Sequence, residues 1–340
     1  MTFKIRNKLS SREFSAEQKE TVLAAALRQG VMLPYSCRNG ACGTCKGKLL
    51  SGQVDYGTYE NKAMSVAEKE NGYALFCQAR PLSDLVIEAK EIAVAKDIPI
   101  RIMPARVVQM EKLADDVMRL SLKLAEGQRL QFLAGQYIDI LLSGNQRRSF
   151  SLSTSPLSDE LLQLHIRHVP GGHYTDHVFE KMKEKDLIRF QGPFGMFFLR
   201  EDSARPAILI AGGTGFAPIK SILEYAFAQG IKRPLHLYWG VRAKRDLYLP
   251  DQPATWAKEH KNFKFTPVLS EPQPEDHWSG RQGWVHEAVG GDHPDLSQHE
   301  IYASGPPPMI DAIKGMAKKH RLPEDRLYYD SFEFAHAAAP

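Results

Sequence analysis

The order of apolar and polar residues in the first 90 positions predicts short strands around one helix. Apolar residues recur on one face of residues 21–29, and Gly30 follows where that helix would end. Strand-like stretches are expected on both sides of this helix, at residues 2–6, 12–14, 46–50 and 85–89. The first module is therefore expected to have a small α+β fold.

A different pattern, typical of a small antiparallel β-barrel, covers the middle of the chain. Short apolar or alternating stretches are separated by turn residues, and one helix is expected at residues 175–183. The six expected strands are residues 106–109, 117–124, 137–142, 148–153, 161–169 and 187–191.

From about residue 205 the apolar strands alternate with helices, which predicts a parallel α/β domain. An apolar strand at residues 207–211 leads through a glycine-rich turn into a helix at residues 218–228, and Pro218 suits a first helical turn. Further strands are expected at residues 235–238, 263–269, 301–303 and 327–329.

A charged stretch at residues 88–104 separates the first module from the second. Pro99 and Pro104 within it disfavour regular structure, so a linker is expected here. The chain is therefore expected to contain three domains, at residues 1–93, 101–201 and 205–340.

Composition narrows the possible classes of protein. With 43% hydrophobic and 25% charged residues, disorder, collagen and coiled coil are disfavoured, and a net charge of +4 is too small to indicate nucleic-acid binding. The longest stretch free of charged residues, 206–219, is too short for a membrane helix. The N-terminus lacks the apolar block of a signal peptide, so a cytoplasmic location without membrane contact is expected.

The four cysteines all lie in the first quarter of the chain. Cys37, Cys42, Cys45 and Cys77 follow the spacing C-x4-C-x2-C with a distant fourth cysteine, which is typical of a plant-type [2Fe–2S] cluster. Disulfides are disfavoured in a reducing compartment. A zinc site is the alternative, although zinc sites usually have two short cysteine pairs. We expect the cysteines to be iron ligands.

With the segment Tyr-Ala-Leu-Phe-Cys-Gln at residues 73–78, the first 90 residues resemble a plant-type ferredoxin domain. The resemblance implies a β-grasp fold. Because the chain continues for 250 residues more, the cluster is expected to exchange electrons with another centre in the same polypeptide.

The barrel region carries Arg-Ser-Phe-Ser at residues 148–151, followed by His-Ile-Arg and a glycine turn at residues 165–175. In this order they resemble the flavin-binding barrel of the ferredoxin–NADP reductase superfamily, whose motif is Arg-x-Tyr-Ser and then Gly-x-x-Ser/Thr. An arginine can pair with the flavin pyrophosphate, and a helix N-terminus can receive phosphate. Phe150 replaces the usual tyrosine, so stacking is kept and a phenol hydrogen bond is lost. The residues expected to bind FAD are Arg148, Ser149, Phe150, Ser151, His165, Ile166, Arg167, Gly172, Tyr174 and Thr175.

Four histidines in this region could suggest a metal site. Residues three apart on a strand point to opposite faces, so His165 and His168 are not expected to share an ion. We expect His165 near the flavin, mostly through its backbone, and His168, His173 and His177 on the surface.

The α/β region carries Gly-Gly-Thr-Gly-Phe-Ala-Pro at residues 212–218 and Tyr-Ala-Ser-Gly-Pro-Pro-Pro-Met at residues 302–309. They resemble the pyridine-nucleotide turn and the Cys-Gly-Pro-Pro-x-Met motif of the same superfamily, with Ser304 in place of the cysteine. Ser151 and Ser304 are the expected catalytic residues beside flavin N5 and the nicotinamide. The residues expected to bind the nucleotide are Gly213, Thr214, Gly215, Phe216, Pro218, Gly240, Arg242, Glu271, Ser304, Gly305, Pro306, Met309 and Phe332.

The choice of nucleotide is predicted from one position. Glu271 stands where NADPH enzymes of this superfamily commonly have arginine, and a carboxylate repels a 2′-phosphate. Arg242 and Lys244 would act in the opposite direction. NADH is the expected donor.

Together the modules imply electron transfer from NADH through FAD to the cluster, because a flavin exchanges both two electrons and one. The chain resembles reductases with an N-terminal ferredoxin domain, especially the CDP-6-deoxy-3,4-glucoseen reductase group and reductase components of dioxygenases and soluble monooxygenases. A sugar dehydratase, or alternatively an oxygenase component, is the expected acceptor and would dock near the loop of residues 37–45. A redox sensor or carrier without turnover is an alternative of another class.

Overall fold

The computed structural model describes residues 1–92, 98–158 and 160–333. They divide into two units, Met1–Pro99, which also takes in Glu333, and Ile100–Phe332. Residues 93 and 340, the expected ends of the first and third domains, lie outside the described residues. No helix in the described part of the chain is long and apolar enough to cross a membrane.

A five-stranded mixed sheet forms the first unit. Its strand order is β2-β1-β7-β3-β5, with β1 parallel to β7 and the other neighbours antiparallel. This is the expected β-grasp fold. The strands of this sheet are β1 (Thr2–Asn7), β2 (Glu13–Glu17), β3 (Lys46–Ser51), β5 (Tyr73–Leu75) and β7 (Leu85–Glu88), and a separate small ladder pairs β4 (Val54–Asp55) with β6 (Arg80–Pro81).

Two helices accompany this sheet. Helix α1 (Val22–Arg28) begins where Thr21 accepts a hydrogen bond from the Ala24 N–H, and it buries an apolar face as expected. Helix α2 (Val66–Glu70) was not predicted. The pattern Ser65-x-x-Glu68, which forms a capping box, is the signal that could have revealed it.

Six antiparallel strands in the second unit form the expected barrel. The order is β11-β10-β13-β8-β9-β12, and a bridge between Leu152 and Leu164 joins the two edges. Its interior is apolar, and helix α3 (His173–Glu180) packs on it through Tyr174 and Val178. The strands are β8 (Arg101–Ala114), β9 (Val117–Leu124), β10 (Tyr137–Leu141), β11 (Arg147–Ser151), β12 (Leu162–Arg167) and β13 (Leu187–Phe194).

The expected linker is wrong at its C-terminal end, because Pro104 lies inside β8. At this point the strand pairs with β13 through Arg189, and pairing with β9 starts at Ala105. Proline is tolerated in a strand that lacks a second neighbour at that position. Residues 93–97 of the expected linker lie outside the described residues.

A six-stranded parallel sheet forms the rest of the second unit, in the order β17-β16-β15-β14-β18-β19. Apolar clusters cover both of its faces, as parallel sheets require. Its strands are β14 (Ala207–Gly212), β15 (Leu235–Val241), β16 (Phe263–Leu269), β17 (Arg281–Gln282), β18 (Glu300–Gly305) and β19 (Leu327–Ser331), and its helices are α4 (Phe216–Ala228), α5 (Asp251–Glu259), α6 (Val285–Asp292) and α7 (Pro307–Lys319).

Strand order reverses between β14 and β18, which lie side by side at the centre of this sheet. In open parallel sheets such a reversal leaves a crevice at the carboxyl ends of the two strands, and ligands bind there. The glycine turn after β14 and Gly305 at the end of β18 both lie at this crevice.

Candidate functional site

The four cysteines of the first unit lie in two pairs. Cys37, Cys42 and Cys45 occupy the loop before β3, and Cys77 follows β5. The thiols of Cys37 and Cys42 are hydrogen-bonded to each other, as are those of Cys45 and Cys77. The hydrogen bond from Cys37 lowers the pKa of Cys42 to about 6, and burial opposes this shift.

Backbone N–H groups surround these sulfurs. Those of Asn39 and Ala41 hydrogen-bond to Cys37, and that of Gly40 to Cys77. Such N–H donors stabilise negative charge on thiolates and on an iron–sulfur cluster that the thiolates bind.

Two glycines with positive φ allow the loop to curl. A Cβ on Gly40 (φ 82°) would lie 2.9 Å from the carbonyl oxygen of Thr58, and one on Gly43 (φ 78°) would lie 2.9 Å from that of Ala63. Both positions therefore require glycine.

This arrangement fits a [2Fe–2S] cluster, in which each iron takes two thiolates. Two sulfur pairs supply that set, and Cys42, Cys45 and Cys77 are buried. Among the described residues, no group of three His, Cys, Asp or Glu side chains could hold a single metal ion, whereas the two cysteine pairs offer two ligands to each of two irons.

The Arg-Ser-Phe-Ser motif forms β11 of the barrel. Ser151 is buried, and its hydroxyl donates to Oδ2 of Asp330 over 3.3 Å. Phe150 packs on Tyr174 with ring centroids 5.5 Å apart, and Ser149 donates to Asp139 over 2.8 Å. The half-buried Arg148 donates to the carbonyl of Arg147.

Asp330 is not among the residues that the sequence predicted for the site. It lies in β19 opposite Ser304 of β18, so the barrel motif and the α/β motif meet there. A carboxylate in a mainly apolar final strand is a weak sequence signal. Phe332 follows, and its N–H donates to the Gly305 carbonyl over 3.0 Å.

His165 projects from β12 toward the α/β region, while its neighbour Ile166 lies in the barrel core. Its Nδ1 is hydrogen-bonded to the hydroxyl of the buried Tyr248 (3.1 Å), a residue that sequence analysis missed. Burial, and then the nearby Lys220, hold the pKa of His165 well below its usual value. This side chain is therefore neutral at physiological pH.

The other three histidines have different surroundings. His173 and His177 are exposed, as expected. The expected surface position of His168 is confirmed only in part, because this side chain is 28% exposed, hydrogen-bonds to Asp176 at 2.9 Å and stacks on Phe179. The Asp176 carboxylate and the Phe179 ring cover part of the imidazole.

The glycine turn before α3 is closely packed. A Cβ on Gly172 would lie 2.6 Å from Thr175 Oγ1, which itself hydrogen-bonds to the backbone N–H of Val169. Arg167, at the end of β12, pairs with Asp116 at 3.3 Å.

Close packing of backbone shapes the crevice between β14 and β18. A Cβ on Gly215 would collide with the Ser304 carbonyl oxygen, and one on Gly305 would lie 2.7 Å from Met309 Cε. The Arg167 guanidinium lies against Gly213, so the barrel also borders this turn. Thr214 sits between the two glycines of the turn.

Two aromatic rings and the N-termini of α4 and α7 surround the glycine turn at residues 213–215. Phe216 stacks on Trp239 at 4.0 Å, and the Trp239 indole N–H donates to the Gly213 carbonyl. Pro218 is buried in the first turn of α4, and Pro306 immediately precedes α7. Gly240 serves helix packing, because a Cβ there would lie 2.7 Å from that of Val285.

At the edge of the crevice, the loops after β15 and β16 are joined. The Glu271 N–H donates to the Arg242 carbonyl over 2.8 Å, and Lys244 hydrogen-bonds to Asp276. The Glu271 side chain is exposed, and Arg242 lies 3.9 Å from Asp246. The acidic side chain of Glu271 and the basic side chain of Arg242 are therefore attached to neighbouring, hydrogen-bonded backbone segments.

Several buried polar atoms near the motifs lack hydrogen-bond partners within the described part of the chain. They include Nε2 of His165, the hydroxyl of Tyr174 and Oγ of Ser304. Buried polar groups are normally satisfied. Their lack of protein partners fits a crevice whose remaining hydrogen bonds are made to a flavin and a nicotinamide nucleotide.

Three family models match the chain in this order. Residues 5–82 match the 2Fe-2S iron-sulfur cluster binding domain, residues 104–199 the oxidoreductase FAD-binding domain and residues 209–315 the oxidoreductase NAD-binding domain. Fold and site therefore define a flavin- and iron–sulfur-dependent oxidoreductase.

Relatives extend over nearly the whole chain. The CDP-6-deoxy-L-threo-D-glycero-4-hexulose-3-dehydrase reductase of Yersinia pestis is 36% identical over 94% of this chain and 95% of its own. The reductase subunit of an Amycolatopsis aromatic O-demethylase is 38% identical over 98% and 99%. The crystal structure of the Amycolatopsis cytochrome P450 reductase GcoB superposes with a TM-score of 0.83 at 37% identity, covering 97% of this chain and 98% of that one.

The chain belongs to the ferredoxin reductase family whose members combine these three domains. It is an enzyme that transfers electrons from a nicotinamide nucleotide through FAD to a [2Fe–2S] cluster, as the sequence predicted. Relatives of this kind are reductase components that serve partner oxygenase or dehydratase proteins.

Proposed function

We propose that this chain takes electrons from NADH, passes them through FAD to a cluster held by Cys37, Cys42, Cys45 and Cys77, and delivers them to a separate dehydratase in the cytoplasm. Residues 1–93, 101–201 and 205–340 are assigned to the cluster, FAD and NADH respectively. The observation that carries the proposal is the meeting of Ser151 with Asp330 beside Ser304, because it brings the flavin motif to the nucleotide crevice.

Bound FAD would supply the exchange between two-electron and one-electron chemistry. Ser151 would hydrogen-bond the flavin ring, and its donation to Asp330 would orient the hydroxyl. The buried Ser304 lies beside Asp330 on the neighbouring strand, where it would contact the nicotinamide.

Phosphate groups would be held by backbone and by cations. The turn Gly213–Gly215 leads into α4, and Gly172 leads into α3, so each helix start offers N–H groups to a phosphate. Arg148 supplies positive charge for the flavin pyrophosphate.

The acceptor is assigned from the relatives. The Yersinia pestis relative is named as the reductase of a CDP-hexulose dehydrase, and we propose an acceptor of that class for this chain, docking near residues 37–45. The name of the Amycolatopsis relative favours an oxygenase as the second candidate.

Reconstitution separates the two acceptors. NADH oxidation by the purified chain is measured with a CDP-hexulose dehydrase and its substrate, and then with an aromatic oxygenase component and its substrate. Product formation with the dehydrase alone is expected. Coupled turnover with the oxygenase alone would overturn the assignment, and ferricyanide reduction by NADH controls for an intact flavin site.

A further inference from the structure

Gln78 is the residue directly after the fourth cysteine, and its side-chain amide contacts both parts of the cysteine site. Nε2 donates to the carbonyl oxygen of Arg38 over 3.2 Å and to the sulfur of Cys77 at 3.7 Å, a length suited to the larger radius of sulfur. An amide nitrogen carries two hydrogens, so both bonds can form together.

The side chain is held in place by two glycines. A Cβ on Gly40 would lie 3.0 Å from Gln78 Cγ, and one on Gly57 would lie 3.3 Å from Gln78 Cβ. Both glycines have positive φ. The half-buried Gln78 therefore fills a gap between two loops, and the direction of its amide is fixed by packing as well as by hydrogen bonds.

The same sulfur has a second donor, the backbone N–H of Gly40. Gly40 and Arg38 belong to the loop that carries the first three cysteines, whereas Cys77 and Gln78 belong to the segment after β5. Gln78 thus joins the two segments that would have to surround the cluster together.

We propose that Gln78 is a positioning residue that raises the reduction potential of the cluster by directing its amide N–H at the Cys77 sulfur. This inference rests on the proposed ligation by Cys77. Reduction adds one negative charge to the cluster, and an N–H dipole aimed at a ligand sulfur stabilises the reduced form more than the oxidised one.

The test compares potentials in full-length protein loaded with cluster and FAD. Gln78→Met keeps the length and removes the donor, and Gln78→Glu keeps the shape and adds negative charge. The matched control is Gln29→Met, because the amide of Gln29 also donates two hydrogen bonds, to the carbonyls of Ser15 and Ala25, without touching a cysteine.

The midpoint potential is measured by a redox titration followed by electron paramagnetic resonance. In Gln78→Met the equilibrium constant for one-electron reduction should fall about tenfold, which corresponds to about 59 mV. In Gln78→Glu it should fall further, and in Gln29→Met it should stay unchanged. Resonance Raman spectra of both Gln78 variants should show a shifted Fe–S(Cys) stretching band.

Other outcomes separate this inference from the proposed function. An unchanged potential in Gln78→Met with an intact cluster spectrum would overturn the role of Gln78 and leave the electron-transfer function standing. If both Gln78 variants lose the cluster while Gln29→Met keeps it, Gln78 acts in assembly and the inference fails. Wild-type protein that binds zinc instead of iron would refute the proposed function itself.

Discussion

The hydroxyl of Ser151 in β11 donates a hydrogen bond to the carboxylate of Asp330 in β19, over 3.3 Å. The two residues are 179 positions apart in the chain, and both side chains are buried. A direct hydrogen bond thus connects the flavin motif to the strand beside Ser304.

Removal of this hydroxyl should slow hydride transfer. In Ser151→Ala, we expect flavin reduction by NADH to be slower by about 10²-fold, because orientation of reacting atoms contributes on this scale. FAD content should be unchanged. Stopped-flow absorbance of the flavin measures the rate.

Ser121→Ala is the matched control, because it removes a buried hydroxyl from β9 of the same barrel. It should reduce at the wild-type rate. Wild-type kinetics in Ser151→Ala would remove Ser151 from the catalytic assignment.

Loss of one cluster ligand should remove the [2Fe–2S] centre without stopping flavin reduction by NADH. In Cys42→Ser we expect little or no [2Fe–2S] absorbance, whereas FAD content and ferricyanide reduction by NADH should persist, because the cysteines and the nucleotide crevice belong to separate units. Iron analysis and visible spectra measure the first effect. A full cluster spectrum in this variant would contradict the assigned ligand set.

Charge reversal at Glu271 should change the preference between nucleotides. We expect Glu271→Arg to raise the ratio of kcat/KM for NADPH to that for NADH at least tenfold, about 1.4 kcal/mol, because a carboxylate is replaced by a partner for the 2′-phosphate. Steady-state kinetics with both nucleotides measure the ratio.

Glu275→Arg makes the same charge change at an exposed position in the next turn, and it should leave the ratio near the wild-type value. Wild-type protein that uses NADPH as well as NADH would refute the predicted preference.

Acid should weaken the second unit through the half-buried His236. Burial, and then His293 and Lys264, lower the pKa of His236 to about 4, although Asp292 opposes this shift. The folded state therefore keeps His236 neutral where the unfolded chain, with an ordinary pKa near 6.5, takes up a proton.

The free energy of unfolding should consequently fall as the pH drops from about 6.5 toward 4. In this range His236 takes up as much as about one proton when the chain unfolds. His236→Gln should keep a hydrogen bond to Thr266 and show a shallower decline in urea unfolding between pH 7 and pH 5. Parallel curves for the variant and the wild type would contradict this.

Local patterns predicted much of the fold and less of the site. Strands β9 and β16 were predicted with the bounds that the structure gives, because their apolar patterns and flanking turns are local. The extension of β8 through Pro104 was missed, because it depends on β13, about 80 residues away. Helices α5, α6 and α7 were expected only as part of an α/β alternation.

Site residues recognised by short motifs were easier to find than those brought in by tertiary structure. The cysteines and the glycine turns lie in such motifs. Asp330 and Tyr248 gain their contacts from distant segments, and nothing beside them in the chain signals those contacts. Gln78 stands beside a predicted ligand, but its bond to Arg38 depends on tertiary structure.

Helix α4 begins at the nucleotide turn and is also bonded to the barrel. Its Lys220 donates to the Ser153 carbonyl over 3.0 Å, and its Ser221 donates to the Thr154 carbonyl over 2.6 Å, just beyond Ser151. The crevice and the flavin motif thus share one support, and we therefore expect hydride transfer to need no hinge closure between them. Solvent viscosity should accordingly have little effect on flavin reduction, so any strong viscosity dependence of turnover would arise at a later step, at the encounter with the acceptor protein.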